Sequence, residues 1–205
     1  MNTKKIPDII VGRLPVYLRA LQRMADMGLK TTSSQELGEH VGISAAQIRK
    51  DISQFGEFGK QGTGYSIEFL LDKLREILKV DRIWDVVVVG AGDMGHAVAN
   101  YQGFQDRGFR VVAIFDNDKS KVGMKIGNFV VEDTEVMVER IRTADIKIAM
   151  LSVPASAAQD VADKLVQAGV RAILNYAPIS LNVPNQVKVQ YIDPSTHLQR
   201  MTFYL

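Results

Sequence analysis

The sequence has no cysteine, only three histidines and no long apolar run. Without cysteine, the 205-residue chain can form no disulfide bond and no thiolate metal site, and it has no thiol nucleophile. We expect no metal site. The apolar runs, such as residues 86–89, are far too short to cross a bilayer. The N-terminus shows two lysines but no apolar segment of a signal peptide, so we expect a cytoplasmic protein.

The small net charge of +2 is unevenly distributed along the chain. Residues 1–80 hold more basic than acidic side chains, whereas residues 81–205 are close to neutral. A mildly basic N-terminal part is compatible with contact to nucleic acid, although many small domains carry a similar excess.

Two patterns of apolar residues meet near residue 80. Before it, apolar residues recur at helical spacing, with a first helix that ends near Gly28 and a connecting helix over residues 67–80. After it, short apolar runs alternate with helical patterns, which is typical of βαβ units and a parallel sheet. Strands are predicted at about residues 86–90, 110–116, 147–153, 172–176 and 187–192. A short terminal helix is predicted over residues 195–205.

Two capping boxes predict consecutive helices in the N-terminal part. The boxes are Ser33-x-x-Glu36 and Ser44-x-x-Gln47, and each places a side-chain acceptor where a helix begins. Gly42 lies in the short turn between them. Helix, tight turn and helix in this order predict a helix-turn-helix.

The second of these helices has two contrasting faces. At 100° per residue, Ile48, Ile52 and Phe55 fall on one apolar face. The opposite face suits the major groove, because arginine can pair with guanine while lysine and serine reach phosphates. We therefore predict DNA contacts from Ser44, Ala46, Gln47, Arg49, Lys50 and Ser53. The alternative is a solvated face on which Lys50 and Asp51 only keep the helix soluble.

The glycine-dense segment Gln54–Tyr65 follows this helix directly. Gly56 is placed to end the helix, and residues 57–58 and 65–67 can pair as two short strands of a hairpin. Glycine lets such a hairpin approach DNA closely. The segment follows a helix rather than a strand and lacks the Walker A spacing, so it is not a nucleotide phosphate loop. We therefore predict a winged helix, with DNA contacts from Lys60, Gly62 and Gly64.

A strand that runs into Gly-x-Gly-x-x-Gly predicts a dinucleotide-binding Rossmann domain. Val86–Val89 precedes the motif, a helical pattern follows it, and Asp116 ends the next strand. The first glycine makes a tight turn, the second lets a pyrophosphate approach, and the third packs the helix against the sheet. Asp116 can accept hydrogen bonds from ribose hydroxyls, and its charge would repel a 2′-phosphate, which favours NAD(H) over NADP(H).

The predicted cofactor-binding residues are Gly90, Ala91, Gly92, Asp93, Met94, Gly95 and Asp116, together with Ser152, Val153, Pro154 and Asn175 at later strand ends. The alternative is a Rossmann-like domain that binds another nucleotide, such as coenzyme A, or none.

The sequence offers little acid–base chemistry for a dehydrogenase. His40 belongs to the helix-turn-helix and His96 to the first turn of the cofactor helix, which leaves His197, one helical turn after Asp193. No substrate domain is apparent, so we predict that the chain is not an enzyme. An NAD-dependent oxidoreductase using His197 and Asp193 is the alternative function, and a nucleotide-binding module that regulates a protein partner is a third.

These motifs resemble those of the Rex family of redox-sensing transcriptional repressors over nearly the whole chain. The matching segments are 13–19, 33–37, 47–51, 55–65, the 90–95 fingerprint, 115–116, 152–154 and 173–178. Residues and resemblance together predict an α/β protein in three parts. These are a winged helix-turn-helix domain with its connecting helix at residues 1–80, a Rossmann domain with a parallel sheet at 81–192, and a short dimerisation helix at 193–205.

The resemblance implies a homodimeric repressor that binds double-stranded inverted-repeat operator DNA when NADH is scarce. NADH, which competes with NAD⁺ as an effector and not as a redox substrate, would release it. The terminal helix would be exchanged between subunits, and Arg13, Tyr101 and Asp193 occupy the positions of a family relay. Two departures are expected to matter: Pro194 stands where some members have a phenylalanine beside the nicotinamide, and the last helix is shorter than usual.

Overall fold

The computed structural model describes residues 6–56, 58–60 and 64–205, without the side chains of residues 59 and 60. The chain divides into two compact units, Met1–Arg82 and Ile83–Leu205. Unit 1 is mainly helical, and unit 2 is built on a seven-stranded sheet. The predicted α/β class, with a winged helix-turn-helix followed by a Rossmann fold, is confirmed.

The described residues of unit 1 form four helices and a small three-stranded antiparallel sheet. In chain order its elements are α1 (Asp8–Asp26), β1 (Thr31–Thr32), α2 (Ser34–Val41), α3 (Ala45–Ile52), β2 (Gly59–Lys60), β3 (Gly64–Ser66) and α4 (Ile67–Leu78). One apolar core joins the helices, because each turns a stripe of leucine or isoleucine inward. Gly28, at φ +83°, follows the end of α1 as the sequence predicts.

The turn between α2 and α3 is tight because two glycines permit it. Gly42 caps α2 in the left-handed conformation, at φ +70°. A Cβ on Gly38 would lie 2.4 Å from the carbonyl oxygen of Ile43, so the turn packs directly on the α2 backbone. The predicted capping box at Ser33 is complete. The second is only half formed. The Ser44 hydroxyl accepts from the backbone N–H of Gln47, but the side chain of Gln47 donates to Asp51 and does not return to the backbone of Ser44.

The wing is rooted in a sheet with strand order β1-β3-β2. Its pairings join Thr31 to Ser66 and Gly59 to Tyr65. Gly64 has φ +72°, and a Cβ there would lie 2.4 Å from the carbonyl oxygen of Thr32. The two-residue strand β1 is absent from the sequence prediction, since it is too short to show alternation.

Unit 2 alternates strands and helices. Its elements are β4 (Trp84–Val89), α5 (Asp93–Ala99), a 3-10 turn (Gln102–Arg107), β5 (Phe109–Asp116), β6 (Lys125–Ile126), β7 (Phe129–Asp133), α6 (Thr134–Thr143), β8 (Ile148–Leu151), α7 (Ala155–Ala168), β9 (Ala172–Asn175), β10 (Lys188–Tyr191) and α8 (Pro194–Thr202). The five predicted strands are all present, with ends that differ by up to two residues. The β6–β7 hairpin is an addition.

The sheet of unit 2 has strand order β10-β9-β8-β4-β5-β7-β6, and all its pairings are parallel except that of β6 with β7. The chain moves outward from β4 to β5 and β7, and then returns to β8 on the other side of β4. This reversal opens a crevice at the carboxyl ends of β4 and β8, the position at which such sheets bind ligands. Apolar clusters cover both faces of the sheet. In the described part of the chain, no helix is long and apolar enough to span a membrane.

Candidate nucleotide cleft and DNA-reading helix

The three fingerprint glycines have different surroundings. Gly90 has φ +103°, and a Cβ on it would lie 2.4 Å from the carbonyl oxygen of Ser152. A Cβ on Gly95 would lie 1.9 Å from the carbonyl oxygen of Gly90. At Gly92, by contrast, no atom of the described residues lies within 4 Å of an added Cβ. The outer two glycines therefore close the strand–helix turn, and the middle one borders open space.

That open space belongs to a cleft of about 750 Å³ at the β4–β8 crevice. Eight of the eleven predicted cofactor-binding residues line it: Gly90, Gly92, Asp93, Met94, Asp116, Ser152, Val153 and Pro154. The remaining three, Ala91, Gly95 and Asn175, are buried behind the wall. The volume suits a nucleotide-sized ligand.

Asp116 is held at the base of the cleft by two backbone amides. Its Oδ2 accepts from the Ala91 N–H at 2.7 Å, and its Oδ1 accepts from the Asp118 N–H at 2.8 Å. Lys121 Nζ lies 3.2 Å from Oδ2. Burial raises the pKa of Asp116, but these hydrogen bonds outweigh it, so the pKa lies below its usual value and the group is ionised. Ala91 thus acts through its backbone, by orienting this carboxylate.

Asn175 has a structural place rather than a position on the cleft wall. Its side-chain amide donates to the carbonyl oxygens of Ala177 and Ile179 at 3.1 and 3.0 Å, and its Oδ1 accepts from the Ala177 N–H at 2.9 Å. The side chain is 1% exposed. These hydrogen bonds hold the loop after β9, and a role of Asn175 in cofactor binding stays a prediction.

The sequence prediction omits several polar residues of the cleft, among them Lys121, Thr134, Asp160 and Lys164. Lys121 lies in the loop that follows Asp116, and the other three lie on helices α6 and α7. The last two carry ordinary surface charges in an amphipathic pattern. Only Lys121 had a usable signal, since it follows the predicted ribose-binding carboxylate by five residues.

The residues of the proposed relay all have partners nearby in the chain or in their own unit. Arg13 pairs with Asp51. Tyr101 lies beyond the end of α5, which stops at Ala99, and its hydroxyl accepts from Arg107 at 2.5 Å. Asp193 caps α8, accepting from the Ser195 N–H at 2.9 Å and hydroxyl at 2.6 Å, which lower its pKa.

Helix α3 presents the predicted reading face to solvent. Ala46, Arg49, Lys50 and Ser53 are exposed, and Arg49 and Lys50 form no ion pair within the described residues. Ser44 is exposed but its hydroxyl caps the helix. Of the wing residues, Gly64 begins β3 and pairs with Lys60, while Gly62 and the Lys60 side chain are outside the described part of the structure.

Asp51 is the main surprise of α3. The sequence offered it as a solvated residue, but its side chain is 0% exposed. Three donors converge on it: Arg13 Nε and Nη2 at 2.6 and 2.7 Å, Tyr17 Oη at 2.7 Å and Gln47 Nε2 at 2.6 Å. Burial raises the pKa of Asp51, but the hydrogen bonds from these three partners lower it by a larger amount, so the pKa lies below its usual value. Asp51 therefore fastens α3 to α1.

No metal site is evident: no group of three or more histidine, aspartate or glutamate side chains in the described residues could hold an ion. His197 lies on the exposed surface of α8, and no hydrogen bond joins it to Asp193 within the described residues. The acid–base pair of the oxidoreductase alternative is therefore not assembled in this structure.

Comparison with known proteins gives two matching family profiles. Residues 5–53 match the family described as "Putative DNA-binding protein N-terminus", and residues 81–179 match "CoA binding domain". The two profiles fall on separate units of the chain.

Curated relatives match almost the whole chain. The redox-sensing transcriptional repressor Rex of Chloroflexus aggregans is 49% identical, covering 97% of this chain and 94% of the relative. The Rex protein of Carboxydothermus hydrogenoformans is 45% identical, covering 99% and 98%.

Solved structures agree with these relatives. RSP, a Rex-family repressor crystallised with β-NAD⁺ and operator DNA, is 38% identical with a TM-score of 0.92, covering 97% of this chain and 92% of RSP. RSP with β-NADH is 36% identical with a TM-score of 0.89, covering 98% and 94%. On this identity and coverage, the chain belongs to the Rex family of redox-sensing transcriptional repressors.

Proposed function

We propose that this chain is a transcriptional repressor that binds operator DNA through α3 and the wing and is released when NADH occupies the β4–β8 cleft. The proposal rests on two features of the chain. In unit 2, Gly92 borders open space in a cleft that also contains the ionised Asp116, and in unit 1, helix α3 exposes basic side chains. Relatives crystallised with NAD⁺, NADH and operator DNA support both halves of the proposal.

The cleft fits a dinucleotide on its own geometry. Open space at Gly92 lets a pyrophosphate approach the backbone where a side chain would block it. The carboxylate of Asp116 accepts hydrogen bonds from Ala91, Asp118 and Lys121, which leaves an acceptor position on Oδ1 for a hydroxyl of the adenosine ribose. Its charge disfavours a 2′-phosphate. The bound nucleotide acts as an effector, and no catalytic group of this chain is required.

DNA recognition by α3 combines charge and shape. Arg49 can form two hydrogen bonds to guanine, and Lys50 and Ser53 are placed for phosphate oxygens. Ala46 allows the helix to approach the base edges closely. The protein acts as a homodimer, because an inverted-repeat operator calls for two recognition helices about 34 Å apart.

The dimer can adopt one arrangement that fits DNA and another that does not. The switch requires only that NADH has a higher affinity for the second arrangement than for the first. The terminal helix α8 is a candidate dimer contact: within residues 194–202 no side chain is buried, and Leu198 and Met201 are more than 60% exposed. Arg13, Tyr101 and Asp193 remain proposed relay residues, with Arg13 already bound to Asp51. A site of action on DNA implies a cytoplasmic protein.

The test is an electrophoretic mobility shift on an inverted-repeat operator, titrated separately with NADH and NAD⁺. We expect a retarded band that NADH abolishes at concentrations where NAD⁺ leaves most of it. A band that persists at saturating NADH would reject the switch, and no band with any inverted repeat would reject DNA binding. A panel of carbonyl substrates with NADH in the same preparations tests the oxidoreductase alternative, for which we expect no turnover.

A further inference from the structure

The amide of Gln47 has an orientation that its surroundings dictate. Its Nε2 lies 2.6 Å from Oδ1 of Asp51, a carboxylate with no exposed side-chain surface. An ionised carboxylate can only accept hydrogen bonds, so Gln47 must turn its nitrogen, and not its oxygen, toward Asp51. The amide oxygen Oε1 therefore points the other way.

Asp51 cannot easily change its role as acceptor. Arg13 binds both of its oxygens and Tyr17 donates to Oδ2, so two further donors fix the carboxylate in place. Hydrogen bonds to the charged form favour that form over the neutral acid, which could donate. The orientation of the Gln47 amide is thus set from the interior of the unit.

The free end of Gln47 lies where a helix-turn-helix reads bases. Gln47 is the third residue of α3 and is half-buried, between the core face and the exposed face of the helix. In this class of domain the N-terminal residues of the second helix contact base edges in the major groove. Within the described residues, Oε1 of Gln47 has no donor of its own.

We propose that Gln47 is a specificity-determining residue that reads a base with an exocyclic amino group, because Asp51 forces its amide oxygen outward. Only adenine N6 and cytosine N4 offer such a donor in the major groove, whereas guanine and thymine present acceptors. The second N–H of Nε2 can also reach adenine N7, so adenine satisfies the amide more fully than cytosine. This inference rests on the proposed DNA binding and adds one position of its base code.

The experiment is selection of bound duplexes from a pool of randomised inverted repeats, using the full chain and three variants. Wild type is expected to show, in each half-site, a base pair restricted in orientation, with adenine or cytosine always on the same strand. Gln47→Ala should lose the restriction at that position alone and bind the wild-type sequence about tenfold more weakly, as for one lost bidentate contact. The matched control is Gln35→Ala, an exposed glutamine of α2, which should leave every position unchanged.

The variant Asp51→Asn tests whether Asp51 sets the orientation of the Gln47 amide or only stabilises the fold of unit 1. Asparagine can donate to Oε1, so the Gln47 amide can turn over, and we expect the same position to admit guanine or thymine. A variant damaged only in folding would lose affinity for all sequences alike. A retained helical circular dichroism spectrum with a cooperative denaturation transition establishes that unit 1 of the variant is folded.

A base analogue gives an independent reading. Purine in place of adenine, or pyrimidin-2-one in place of cytosine, removes only the exocyclic amino group at that position. Wild type should lose about as much affinity for the analogue as Gln47→Ala loses for the normal base. The variant should then show no further loss on the analogue, because both changes remove the same contact.

Three results would overturn the inference while the proposed function stands: no relaxed position in Gln47→Ala, no loss of wild-type affinity when the exocyclic amino group of the relaxed base pair is removed, or a uniform loss of affinity with no broadening in folded Asp51→Asn. If wild type itself selects no sequence, the proposed function fails, and this inference fails with it.

Discussion

The Cα of Gly95 lies so close to the carbonyl oxygen of Gly90 that a Cβ added there would approach to 1.9 Å. Real Cβ atoms do not come this near to an oxygen, so the turn between β4 and α5 depends on glycine at this point. Three residues earlier, Gly92 borders open space. Two glycines of one motif are therefore separable by experiment, one as a requirement of folding and the other as a requirement of binding.

Gly95→Ala is expected to destabilise unit 2. The new methyl group must push the first turn of α5 away from the sheet, at a cost of about 3 kcal/mol or more in the free energy of unfolding. Fluorescence of Trp84, the one tryptophan of the chain, reports this unit during denaturation. The matched variant Gly92→Ala should unfold like wild type, and equal midpoints for all three proteins would contradict the argument.

Gly92→Val is expected to leave unit 2 folded and to abolish NADH binding. The backbone here, at φ −86° and ψ −170°, suits any residue, and the side chain would enter the space where a pyrophosphate approaches. Calorimetry should show a loss of two orders of magnitude or more in affinity, about 3 kcal/mol. In a mobility shift the variant should still bind operator, now without response to NADH. Wild-type NADH affinity would show that the nucleotide does not pass Gly92.

Arg49→Ala is expected to weaken operator binding by roughly 1–3 kcal/mol and to relax the preference for one base pair in each half-site. The arginine is exposed and forms no ion pair within the described residues, so its removal should leave the stability of unit 1 nearly unchanged. Mobility shifts against single-base operator variants measure both effects. If affinity falls equally for every sequence, Arg49 contacts phosphate and not a base.

Acid should destabilise unit 1 through Asp51. The pKa of this carboxyl is lower in the folded chain than in the unfolded chain, so its stabilisation is complete above the unfolded pKa of about 3.9 and is lost as pH falls through the folded value. Helical circular dichroism in denaturant, followed from pH 7 to pH 2, measures this loss.

Asp51→Asn should lower the free energy of unfolding at pH 7 by about 3 kcal/mol, because Arg13, with 22% of its side chain exposed, is left without a counter-charge. The difference from wild type should shrink as pH falls below about 4, where this carboxyl takes up a proton in the unfolded wild-type chain before it does so in the folded one. A difference that stays constant with pH would mean that the charge of Asp51 contributes nothing.

Apolar periodicity, helix capping and glycine positions in the sequence were sufficient to predict most helices and strands of this fold. The helical spacing of α1 and α4, the helix-turn-helix and the parallel strands followed from periodicity and capping. The strand β1 and the β6–β7 hairpin were missed: β1 and β6 are two residues long and show no alternation, and β7 pairs with β6 in that hairpin. Their formation is decided by pairing partners that are distant in the sequence, as for Thr31 and Ser66.

The site was predictable where backbone geometry defines it and not where side chains choose among partners. Gly90, Gly92 and Asp116 follow from a motif with a fixed geometric meaning. Asp51 was misjudged because an aspartate on a helix is normally solvated, and its partner Arg13 lies 38 positions away. For the same reason the second capping box was wrong in part, since the side chain of Gln47 finds a stronger, charged acceptor than the cap.

Asp51 also limits how the DNA preference of this chain can change over evolutionary time. Gln47 shares a carboxylate with Arg13 and Tyr17, so a new residue at position 47 disturbs an interior that other side chains depend on. The side chains of Arg49 and Lys50 form no hydrogen bond or ion pair within the described residues. We expect proteins that evolve from this one to change their operator preference first by substitutions at positions 49 and 50. The preference for the base that Gln47 contacts should change last.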